Sequence, residues 1–178
     1  MAPVPPRPAR LRVRSFGTLA ALLATTHVAA PSLAAQHTHG AATLDIGISG
    51  QEGTAQLRAT GEDLWGFERA PRTAADRAAR SAALARLRDG GGTLLRLAPA
   101  LGCAVVADSV LPVRTTQGHE EVTARYRMRC RRPLAGSPIG FGVTALFPRI
   151  TRVRVQLVSD TAQVGREVVR DQGRVVPE

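Results

Sequence analysis

Four histidines, two cysteines and a few acidic pairs are the side chains here that can do chemistry, and one of the histidines, His27, falls in the N-terminal segment read below as a leader. His37 and His39 stand two apart, so in an extended segment both imidazoles project to one side. Two nitrogens so placed can bind one metal ion. A terminal His-x-His of this kind can equally be a solvated tail. His119 has acidic neighbours, Glu120 and Glu121, that can add oxygen donors; on the plainer reading it is a polar loop residue. Covalent catalysis finds little support. No serine lies in a Gly-x-Ser-x-Gly elbow. Lysine is absent from the chain, which rules out a Walker-type phosphate loop and a Schiff-base mechanism. Glu62 and Asp63 are adjacent, and on a strand they would point to opposite faces rather than act as a pair. The chemistry expected is therefore metal binding and not enzymatic turnover.

The elements that must position these groups begin after residue 34. Arg7, Arg10, Arg12 and Arg14 precede a small-residue apolar stretch from Ser15 to Ala30, and Ser32-Leu33-Ala34 follows. This is the layout of a secretory signal peptide, cut after Ala34 or Ala35. The expectation is a leader over residues 1–34 and a single periplasmic domain over 35–178, with no membrane span in the mature form. Of 24 basic and 14 acidic residues, the leader takes four arginines and no acid, leaving a net charge of +6. Export and the even spread of arginine argue against nucleic acid. A cut after Ala34 would leave Ala35-Gln36-His37, whose amine, two amides and imidazole suit square-planar Cu(II) or Ni(II).

Alternation of apolar and polar residues predicts a strand from Ala42 to Ser49 and a second through Ala55, Leu57 and Ala59, forming a hairpin. Residues 73–89 switch to the helical period. Thr73 is the expected N-cap with Asp76 three positions on. Ala75, Ala79, Ala82, Ala83 and Leu87 form the face expected to pack, and Gly90 to Gly92 the stop. Cys103, Val105, Ala107, Ser109 and Leu111 share one face of a strand. Val122, Ala124, Tyr126, Met128 and Cys130 share one face of the next. Setting Cys103 opposite Cys130 puts Val105 against Met128, Ala107 against Tyr126 and Leu111 against Val122, so a cross-strand disulfide is expected. The alternative is two buried free thiols. Thr123, Arg125, Arg127, Arg129 and Arg131 line the other face, as a solvated row or a surface for an anion. Further strands are expected through Val153, Val155 and Leu157 and over 162–169 and 174–177. The fold class is α+β, a mostly antiparallel sheet with one main helix packed on it.

Several segments together resemble the ZrgA family of zinc-regulated periplasmic proteins. His37-Thr38-His39-Gly40 resembles that family's opening His-x-His-Gly, and Gly66-Phe67-Glu68-Arg69-Ala70-Pro71 is similar to its Gly-Phe-Glu-His-Ala-Pro. Gly102-Cys103, Gly118-His119, Cys130, Leu146-Phe147-Pro148 and Val153-Arg154-Val155-Gln156 follow in the family's order. The resemblance implies a periplasmic zinc-binding accessory protein that buffers zinc or delivers it to an uptake transporter or its binding protein. It implies His37, His39 and His119 as zinc ligands, with Glu68 as a ligand or supporting carboxylate. Arg69 stands where the family has histidine, and a salt bridge to Glu68 is the expected substitute for a metal contact. A histidine-rich insertion of some members is missing between Pro112 and Gly118. The alternative is an interaction or structural domain without metal that uses its arginine-rich strand face.

Overall fold

The computed structural model describes residues 39–116 and 118–177. The leader expected over 1–34, and His37 with it, lie outside the described residues.

Nine strands and four helices are seen among the described residues. A hairpin of β1 (Ala41–Ser49) and β2 (Glu52–Thr60) leads into a short helix, α1 (Gly61–Trp65). The long helix α2 (Ala74–Asp89) follows, then α3 (Gly91–Leu94) and β3 (Leu95–Arg96). A second hairpin joins β4 (Ala104–Arg114) to β5 (Glu120–Arg129). The chain ends with β6 (Ile139–Phe141), α4 (Val143–Leu146), β7 (Arg152–Val158), β8 (Gln163–Val169) and β9 (Arg174–Val175). The main sheet runs β4-β5-β2-β1-β7-β8, and β3-β6-β9 form a small second sheet. The mostly antiparallel sheet is as expected, and it dominates the fold. One pairing departs: β1 and β7 are parallel, with Leu44 opposite Val155.

Period-two patterning places Leu44, Ile46, Leu57, Tyr126, Met128, Val155 and Leu157 on one buried face of the sheet. Residues of α2 and of the small sheet, Leu84, Leu87, Leu95, Ile139 and Phe141, complete this core. Tyr126 Oη donates to the carbonyl of Leu87 at 2.8 Å, tying the long helix to the sheet. Burial pushes that hydroxyl's pKa up from its ordinary value. Helix α2 has the capping box read from Thr73 and Asp76. Its packing face differs from the one expected. Ala83, Leu84 and Leu87 are buried, whereas Ala75, Ala79 and Ala82 face solvent. Alanine is apolar enough for either side, so the branched leucines decide which stripe turns inward.

Cys103 and Cys130 are joined by a disulfide, and there is no free cysteine among the described residues. Val105 pairs with Met128 and Ala107 with Tyr126, as the disulfide register requires. Beyond Ala107 a β-bulge shifts the register by one. Leu111 then meets Thr123 rather than Val122 and is half exposed, while Val110 comes opposite Ala124. The extra residue is Asp108, whose carboxylate accepts from Arg127 at 2.8 Å on the open face.

Candidate metal centre

The site assembles where three separate segments meet: the turn entering β1, α1 with the loop that follows it, and the tip of the β4–β5 hairpin. Each is fixed by local chemistry. Asp63, buried in α1, accepts from the Gly40 amide at 2.7 Å through Oδ1 and from the Thr60 hydroxyl at 2.9 Å through Oδ2. The first bond ties the residue after His39 directly to α1. Thr60 caps that helix by accepting from the Asp63 amide. At its other end Gly66 adopts φ +96, the left-handed conformation a side chain disfavours, and its amide closes on Glu62. The chain reverses there, bringing Glu68 back beside Glu62. Trp65 packs closely on Gly61, where an added Cβ would come within 2.6 Å of the indole.

Within this frame His39 Nδ1 lies 3.4 Å from Glu62 Oε2 and 3.8 Å from Glu68 Oε1. The other Glu68 oxygen is hydrogen-bonded to His119 Nδ1. Glu68 is thus shared between two imidazoles whose positions in sequence are 80 residues apart. Its side chain is 19% exposed, whereas His39 is 56% exposed. The cluster is anchored below and open above. Ligand atoms of His39, Glu62 and Glu68 all fall within 4.8 Å of one another. Zinc bonds of 2.0–2.1 Å in a tetrahedron imply ligand separations of about 3.3–3.4 Å, so these donors stand near the spacing one ion needs. With both cysteines oxidised, the donor set is nitrogen and oxygen.

The sequence-predicted residues His39, Glu68 and His119 come together, and His37 lies outside the described residues. Glu62 was read as half of an unproductive strand pair. The segment is helical instead, and the two acids still diverge: Asp63 turns inward as an anchor while Glu62 faces His39. A helix start at Thr60, with acids in its first turn, is the signal that could have found it. Two expectations about neighbours are corrected. Arg69 does not pair with Glu68. It binds Asp76 at 2.6 Å and sits 5.0 Å over the Phe67 ring, pinning the loop to the cap of α2. The Arg69 hydrogen bond holds the Asp76 carboxyl well below the usual carboxylate range, and Asp76 in turn raises Arg69. Glu120 is also not offered to His119. It is buried against Arg80, and Glu121, alternating with it, turns toward the open face. The arginine row of β5 meets acids or amides: Asp108 for Arg127, Glu52 for Arg129 and Gln56 for Arg125.

The model of the ZrgA family zinc uptake proteins matches residues 36–176, a span that holds the whole described fold and all of its candidate donors. The chain belongs to the ZrgA family. No curated protein matches it. Membership associates the chain with proteins of zinc uptake. No helix among the described residues is long and apolar enough to cross a membrane.

Proposed function

We propose that the protein is a periplasmic zinc-binding accessory component of zinc uptake, exported by a cleaved leader and acting by binding and transfer rather than by catalysis. In this reading His39, Glu62 and Glu68 hold one Zn²⁺. His119 fixes the second oxygen of Glu68, so that the carboxylate meets the ion in a set orientation. Three protein donors leave the fourth position for an exchangeable ligand, and His37, two residues before His39 in the sequence, is a candidate for that role. The observation that carries the reading is the sharing of Glu68 between His39 and His119 in a chain of a zinc uptake family.

Nitrogen and oxygen donors on an exposed surface suit an ion that must leave again. A site closed by four protein ligands is structural, while an open position admits an incoming ligand. That ligand would come from a transporter or its binding protein, to which the ion is delivered. The amino-terminal Ala35-Gln36-His37 motif remains a second proposal for Cu(II) or Ni(II). Both readings start from protein recovered from the periplasmic fraction of an expressing cell. N-terminal sequencing should find Ala35 first. Calorimetry with Zn²⁺ should give one ion per chain, and no heat above buffer at tens of micromolar would overturn the zinc reading.

A further inference from the structure

We propose that Arg80 is a positioning residue for the metal cluster, holding His119 against Glu68 through the buried carboxylate of Glu120. The inference rests on the reading of the cluster as a zinc site. Arg80 lies in the middle of α2, away from the cluster in sequence. Its Nε donates to both oxygens of Glu120, at 3.1 and 3.3 Å, and its Nη2 to Oε1 at 2.5 Å. The same guanidinium sits 5.5 Å over the Trp65 ring. Glu120 is 7% exposed.

These contacts have a directional consequence. His119 is the residue before Glu120, so fixing Glu120 fixes the start of β5. Trp65 is three residues from Glu62 on one side and from Glu68 on the other. One guanidinium therefore spans both segments that must stay in register for the cluster to exist. The hydrogen bonds between Thr115 and His119 close the hairpin tip on itself and do not tie it to α1. Without Arg80, a carboxylate is left buried with no counter-charge, and it gains by swinging the strand end toward water. That motion carries His119 away from Glu68. Lysine cannot replace the arrangement, because an ammonium cannot make the two-point grip on the carboxylate.

The test is a double-mutant cycle read by zinc calorimetry on the folded protein. Arg80→Gln should weaken zinc binding about tenfold, the scale of an outer partner of a metal ligand, and Arg80→Lys should fall between it and wild type. In a His119→Ala background, Arg80→Gln should cost much less than it does in wild type, since most of its effect passes through His119. Losses that multiply would overturn the proposal. Should Arg80→Gln not fold, the neutral pair Arg80→Met with Glu120→Leu leaves no buried charge to drive the strand end outward, so zinc affinity should stay within about threefold of wild type, and a tenfold loss would overturn the proposal. A zinc-free readout separates this inference from the functional one. In labelled protein the His119 ring resonances should shift or broaden in Arg80→Gln. If wild type takes no zinc the functional reading fails, while the ring signals still decide: displaced rings support Arg80 as the positioner, and unchanged rings overturn it.

Discussion

The β4–β5 hairpin is finished by different chemistry at its two ends. At one, Cys103 and Cys130 join the strands covalently. At the other, His119 and Glu120 engage other elements through hydrogen bonds and an ion pair. The covalent end is indifferent to pH and to ions and sets the register of the hairpin. The polar end answers to both, because its contacts are made of groups that protons and cations compete for. The contrast also fixes the metal chemistry. A thiolate would bind zinc more tightly, but both sulfurs are used in the fold, so an ion at the proposed site would meet imidazole and carboxylate.

The largest effect should come from the covalent end. Replacing both Cys103 and Cys130 by alanine reopens a loop with a sequence separation of 27, which costs about 3–4 kcal/mol in the chain-entropy model. Urea unfolding should show that loss while zinc affinity stays within about threefold. A collapse of affinity would mean that the two ends are not separable. Next comes Glu68→Ala, which removes the partner of both histidines. Zinc affinity should drop about 100-fold, equal to about 2.7 kcal/mol, with a much smaller change in urea midpoint. Equal losses in both measurements would make Glu68 a structural residue and not a ligand.

Much of this was legible beforehand. Strand patterning gave both hairpins, the capping box of α2 and the disulfide pairing, because period and cap chemistry are local. Spacing and resemblance picked out His39, His119 and Glu68. The bulge at Asp108 was not legible, since one extra residue leaves the alternation intact on either side and only the pairing reveals it. Nor was the partner of Arg69: Glu68 is its neighbour in sequence, but Asp76 is its neighbour in space, through a cap that reaches back along the chain. The exposed alanines of α2 escaped for a similar reason. Their small apolar surface does not choose a side, and the parallel placement of β7 beside β1 depends on a crossover that no local pattern records.

A smaller effect should follow from the Arg69–Asp76 contact, which holds the Glu68 loop to α2. The folded pKa of Asp76 is depressed, so its contribution to stability is present above the carboxyl's unfolded pKa of about 4 and is lost as pH falls through the depressed value. The stability difference between wild type and Asp76→Asn should therefore be flat above about pH 5 and shrink well below pH 4. Thermal unfolding across that range checks it. Zinc affinity should also fall as the solution is acidified, since protons compete with the ion for its ligands.

The smallest effect belongs to an arginine on the same hairpin. Arg127 and Arg80 each pair with an acid at hydrogen-bond distance, so by contact geometry alone they look alike. They differ in surroundings. The Arg127–Asp108 pair is about half exposed on the open sheet face, where water and salt screen it and ordering two long side chains offsets the attraction. Arg127→Ala should change unfolding free energy by less than about 0.5 kcal/mol and leave zinc affinity unchanged. If it matched Arg80→Gln in either measurement, burial of Glu120 would not be what distinguishes the two pairs. The open face, with its row of matched charges, would then have to be part of the site.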